Sequence, residues 1–155
     1  MVRSLVGKHT EYYEAILQLR NVSPDVIAFV EEEIQRVHLS VSKVLEERTG
    51  LDFYLSDNTL TRILAKKLQT TYGGEVLITA TLHTQKKDKE MYRLTVLFRQ
   101  APFGKGDMVL KGGEQYRVLS MGKEMILQHT KTGKKIHARY REMKGIKKEE
   151  ISFEA

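Results

Sequence analysis

Residues 12–20 open with an alternation. Tyr13, Ala15, Leu17 and Leu19 fall on one side of an extended chain, and Tyr12, Glu14, Gln18 and Arg20 on the other, with only Ile16 out of step. A period of two predicts a strand with one buried and one mixed face. The period then changes. Ser23, Pro24 and Asp25 offer an N-cap, a first-turn proline and an acid at the positive end of a helix dipole. Ile27, Val30, Ile34, Val37, Val41 and Val44 follow at steps of three and four. That stripe predicts one amphipathic helix from Pro24 to about Arg48, stopped by Gly50, with Glu31–Glu33, Arg36 and Glu46–Arg48 around it. Its heptad-like run is short, so packing on a sheet is expected rather than a coiled coil.

Leu51–Leu55 reads as a short strand and Ser56 as the cap of a second helix, whose buried side would carry Leu60, Ile63, Leu64, Ala65 and Leu68 before Gly73 and Gly74 end it. Val76, Ile78, Ala80 and Leu82 alternate again, and so do Tyr92, Leu94, Val96 and Phe98 beyond a charged turn, which predicts a hairpin. The expected order is β-α-β-α-β-β, an α+β domain with helices on one face of a mixed sheet, over residues 8–101. Ala101-Pro102-Phe103 interrupts the pattern, and Gln100–Phe103 is expected to be a hinge-like junction. Beyond it, glycines punctuate short β runs at Met108–Leu110, Gln115–Ser120, Glu124–His129 and Lys134–Tyr140. Those runs predict a small, strongly curved SH3-like β-barrel over residues 102–148, followed by a charged tail at 149–155.

Composition narrows the function. The 155 residues contain no cysteine, and the five histidines are dispersed, so no metal and no cofactor is expected. No apolar run approaches the roughly 20 residues that span a bilayer, and the amino terminus lacks the features of a signal peptide. A cytoplasmic protein, monomeric and without a membrane partner, is expected. The net charge of +6 is unevenly spread, because residues 103–148 hold twelve Lys/Arg against four Asp/Glu. A basic module of this kind points to a polyanion such as nucleic acid, or to a solvated surface that maintains solubility.

No phosphate loop or nucleophile elbow occurs: Gly104-Lys105-Gly106-Asp107 and Thr132-Gly133-Lys134 both lack the spacing. The acids of Glu31–Glu33 point about 100° apart on a helix and read as a solvated face. An enzyme is not expected. The strongest candidate is Lys134–Arg141. As an extended strand it would turn Ile136, Ala138 and Tyr140 inward and set Lys135, His137, Arg139 and Arg141 outward at intervals of about 6.7 Å. Lys131, Lys134, Lys144, Lys147 and Lys148 surround that stripe. Rows of cations suit backbone phosphates, although a charged edge strand also discourages aggregation. Lys86, Lys87 and Lys89 in the hairpin turn form a weaker basic site. Tyr54, Tyr92 and Tyr116 could stack on bases or serve as core tyrosines.

The wording of Tyr12–Arg20, Leu51–Ser56 and Tyr92–Arg99 resembles the family of nonsense-mediated decay protein 3, the adaptor for export of the large ribosomal subunit, in a version that looks archaeal. Phe103–Val109 through Lys134 resembles that family's next module, which is similar to the N-terminal domain of translation factor 5A. The resemblance implies a ribosomal-protein-like first domain and a factor that binds ribosomal RNA of the maturing large subunit near the tRNA sites. It implies no catalysis. The family opens with Cys-x-x-Cys zinc modules, which are missing here and are expected to lie upstream, the alternative being a short member of the family. The segment from Ile146 lacks the leucine-rich signal that recruits the export receptor, so an export role is not carried over. His129–Lys134 is similar to the modified-lysine loop of factor 5A but comes about one hairpin later, and it reads as an ordinary basic turn. The other reading of the chain is a protein-interaction module that uses the long helix without binding RNA directly.

Overall fold

The computed structural model describes residues 12–86 and 89–149. Its central strand is β1 (Ala15–Arg20), which pairs antiparallel with β3 (Gly50–Leu55) and parallel with β5 (Lys89–Gln100). The edge strands β2 (Val41–Glu47) and β4 (Gly74–Lys86) complete a mixed sheet in the order β2-β3-β1-β5-β4. Ala15, Leu17 and Leu19 are fully buried, as the alternation predicts. Helices α1 (Pro24–Arg36) and α2 (Asn58–Tyr72) cover that face, and no α-helix among the described residues lies on the other face. The fold is α+β.

Helix α1 is much shorter than its stripe predicts. Its buried residues are Val26, Val30 and Ile34, and it ends at the C-cap Val37. His38 adopts a left-handed φ of 55°, and the Leu39 N–H closes the end on the Ile34 carbonyl at 2.9 Å. Val41 and Val44 belong to β2. A bulge at Ser42 lets Val41 pair with Leu55 and Val44 with Phe53, so two residues three apart reach the same core face. A strand thereby acquires a helix-like spacing, and the order becomes β-α-β-β-α-β-β.

The cap of α2 is Asp57, whose carboxylate accepts the Leu60 N–H at 2.8 Å. Ser56 instead accepts the Ser40 N–H through its hydroxyl, tying the two loops together. Thr61 is buried, with its hydroxyl on the Asp57 carbonyl at 2.7 Å, whereas Ile63 is 47% exposed. Gly73 closes α2 at φ 82°, a value that favours glycine, and a Cβ there would meet the Met121 side chain at 2.7 Å.

Residues 100–103 form a tied corner rather than the expected hinge. The Gln100 amide oxygen accepts the Ser23 N–H at 2.7 Å, and the Ala101 N–H donates to Gly73. Ala101 and Phe103 are buried in a second core. That core lies under β6 (Met108–Lys111), β7 (Glu114–Met121), β8 (Met125–His129), β9 (Lys135–Ala138) and β10 (Ile146–Lys148), in the order β10-β6-β7-β8-β9. All four neighbouring pairs are antiparallel. The outer strands β9 and β10 do not pair with each other, so the sheet does not close into the expected barrel. β9 stops at Ala138 because the Glu142 carboxylate takes the Arg139 N–H at 2.9 Å, withdrawing that donor from any ladder. A 3₁₀ helix at Tyr140–Gly145 then leads into β10. No helix among the described residues is long and apolar enough to cross a membrane.

Candidate nucleic-acid interface

Alternation in the second sheet divides its side chains cleanly. Val109, Tyr116, Val118, Leu127 and Ala138 point into the core, while Arg117, Gln128, Lys135 and His137 lie between them on the outer face. Each of the four acids between 103 and 148 already has a partner. Glu142 lies 3.7 Å from Lys111 and Asp107 lies 3.6 Å from Lys148. Glu114 faces His129 at 3.3 Å and Glu124 faces His137 at 2.6 Å. Ten cations are left without an ion pair among the described residues: Lys105, Arg117, Lys123, Lys131, Lys134, Lys135, Arg139, Arg141, Lys144 and Lys147. All ten are exposed.

The predicted stripe is split by the end of β9. Lys135 and His137 stand on the strand, but Arg139 caps the 3₁₀ helix and Arg141 lies within it, so the four do not form one evenly spaced row. Lys131 and Lys134 occupy the β8–β9 turn. There the Nδ1 of His129 accepts the N–H groups of Lys131 and Thr132, both at 3.2 Å, and Gly133 supplies a φ of 73°. Register places Lys135 beside Gln128 and Gln128 beside Arg117, which sets the two cations about 10 Å apart across three strands. Sequence reasoning missed Arg117, although its position between buried Tyr116 and Val118 marks it as outward.

Arg139 and Arg141 instead join Lys123 on one wall of a groove of ≈ 610 Å³, whose other wall is Glu75 and Leu77 of β4 with Gln69 of α2. Tyr140 anchors this wall. Its hydroxyl donates to the Gly122 carbonyl at 2.8 Å, and burial pushes its pKa up to about 12. The Arg139 N–H holds the Glu142 carboxylate below its ordinary pKa, with Lys111 adding to the effect. Lys144 projects from the last turn of the 3₁₀ helix. Lys86 and Lys89 face each other at the closing positions of β4 and β5, while Lys87 lies outside the described residues. Of the three tyrosines, Tyr116 is core and packs edge-on to His129, Tyr92 is exposed, and Tyr54 is half-buried on the helix-free face of the first sheet.

The molecule therefore belongs to a class with a helix-covered mixed sheet joined by a tied corner to an antiparallel sheet rich in uncommitted cations. Residues 12–99, more than half of the chain, match the family model described as NMD3, second domain, and the chain belongs to the NMD3 family. The match covers the first sheet and its helices. No curated protein matches the chain. The NMD3 family is linked to the large ribosomal subunit, and membership points to a role in subunit biogenesis or export.

Proposed function

We propose that this chain is a non-enzymatic RNA-binding factor in biogenesis of the large ribosomal subunit, contacting ribosomal RNA near the tRNA sites through its second sheet. One observation carries the reading: ten exposed cations of residues 103–148, on the second sheet and its connections, have no acid partner among the described residues, while all four acids there are already engaged. Guanidinium and ammonium groups left uncommitted in this way suit phosphate oxygens, which position a nucleic acid without reading its sequence. The open sheet, with a 3₁₀ helix before its last strand, supports an SH3-type arrangement akin to that in factor 5A, and the two separate cores support two modules, with Ala101 already in the second core. A catalytic role for Glu31–Glu33 gains no support. Glu33 is held by Arg36 and Lys67, which lower its pKa to about 2, well away from general acid–base work near neutrality.

The reading based on a long partner-binding helix loses its footing, because α1 has 13 residues and spends Val26, Val30 and Ile34 on the core. Sucrose-gradient fractionation of a cell extract tests the proposal. The chain should sediment with large-subunit particles and be released by ribonuclease; retention of its partners after ribonuclease treatment would contradict it.

A further inference from the structure

The helix-free face of the first sheet carries two adjoining tyrosine rings with a cation on either side. The Lys43 ammonium lies 4.4 Å from the Tyr54 ring centroid. Tyr54 meets Tyr13 edge-on at 4.8 Å, and the Arg93 guanidinium covers the Tyr13 ring at 3.9 Å. Register explains the grouping. Lys43 of β2 pairs with Tyr54 of β3, Tyr54 pairs with Ile16 of β1, and Ile16 pairs with Thr95 of β5. Arg93 is held in place by a bond from its Nε to the Tyr13 carbonyl at 3.2 Å.

The series is partly exposed and set on strands and on the segment just before β1, with the two tyrosine rings at 84° to each other, and neither Lys43 nor Arg93 has an ion pair among the described residues. Of the acids around the face, Glu47 bears on Tyr54, and Glu14 at the rim accepts bonds from the Tyr12 hydroxyl and the Asn58 N–H. Asp52, farther down the face, is matched by Arg20 at 2.7 Å. Rings and a guanidinium plane offer surfaces on which bases stack, and flanking cations attract the connecting phosphates. A duplex cannot use such a surface, because its bases already stack on one another.

We infer that this face is a stacking platform for a single-stranded RNA segment, centred on Tyr13, Tyr54 and Arg93. The inference takes its ligand class from the function proposed above, but it uses a different surface and a different chemistry. The phosphate-binding cations of the second sheet position the RNA, and the platform selects unpaired nucleotides.

The test is titration of the full chain with an eight-nucleotide oligouridine and, in parallel, with a blunt-ended RNA duplex. Tyr13→Leu with Tyr54→Leu should weaken oligouridine binding by about tenfold to a hundredfold and leave the duplex unaffected. Tyr13→Phe with Tyr54→Phe, which keeps both rings, should bind oligouridine like the parent. Equal losses for both RNAs, or no loss for either, would overturn the platform. Should the leucine pair fail to fold, ultraviolet cross-linking of oligouridine to the unmodified chain decides: adducts at Tyr13 or Tyr54 support the platform, and adducts confined to the second sheet refute it. Lys43 shielded from acetylation in a ribonuclease-treated extract, with no adduct on this face, would give the surface to a protein and also refute the inference. Failure of the second-sheet reading would look different, with charge reversal there silent for both RNAs while the tyrosines still matter.

Discussion

The first sheet and its helices hold short ion pairs beside cations such as Lys43 and Arg93 that have none among the described residues, whereas the second module carries three times as many cations as acids. In the first, Arg20 lies on buried Asp52 at 2.7 Å, and Glu33 gathers both Arg36 and Lys67 at 2.8–2.9 Å. In the second, twelve basic residues share four acids, and the two Lys–acid pairs are the longer ones, at 3.6 and 3.7 Å. The contrast shows that basic content alone is a weak guide. What marks a candidate interface is the cation with no partner of its own.

The largest expected effect sharpens this contrast from the paired side. Arg20→Met strands Asp52, which is 5% exposed, and should cost about 2–3 kcal/mol of stability in denaturant melts while leaving RNA affinity unchanged. Arg141→Met, exposed in the 3₁₀ helix, should do the reverse, shifting stability by less than about 0.5 kcal/mol and weakening RNA binding. An intermediate effect is expected where the sheets meet. Gly73→Ala forces a side chain into φ 82° and against Met121, and should cost about 1–2 kcal/mol. Limited proteolysis should then cut more readily at residues 100–103.

Glu33 provides the smallest effect among the residues with an ion-pair or packing role. Its pKa is lowered to about 2, chiefly by its hydrogen bond from Arg36 and then by that from Lys67. Its contribution is fully present above the unfolded-state value of about 4.3 and is lost as pH falls from there toward 2. Because the pair is partly solvated, Glu33→Gln should cost only about 0.5–1 kcal/mol at neutral pH, and the difference from the parent should vanish near pH 2. A difference that persists undiminished in acid would contradict this origin.

Much of the fold is legible in the sequence because alternation survives wherever a regular strand has one buried face. β1, β5 from Leu94 to Phe98 and the four longer strands of the second sheet are of this kind, whereas β4 leaves Ile78, Ala80 and Leu82 exposed despite their alternation. The long helix misled because the bulge at Ser42 placed Val41 and Val44 three residues apart on one face, and because nothing in Val37-His38-Leu39 announces a left-handed turn. The stripe at Lys135–Arg141 was half legible. Lys135 and His137 obey strand alternation, but the bond between Glu142 and the Arg139 N–H turns the chain away, and Arg139 and Arg141 enter the groove beside β4. The pairing of Lys43, Tyr54, Tyr13 and Arg93 could not be read from the sequence at all, since it brings together three strands and the segment before β1.

The central claim, that uncommitted cations of the second sheet contact phosphates, is tested most directly by the salt dependence of binding to large-subunit RNA. Lys135→Glu, Arg139→Glu and Arg141→Glu together leave the inward Ala138 and Tyr140 untouched, so the sheet should stay folded. The log–log slope of affinity against salt should flatten by about 0.7–0.9 for each phosphate that the variant no longer neutralises. The matched reversal at Lys86, Lys87 and Lys89 should change the slope less, because that turn also holds Asp88 and Glu90. An unchanged slope in the second-sheet variant, together with a flattened one in the hairpin variant, would contradict the account.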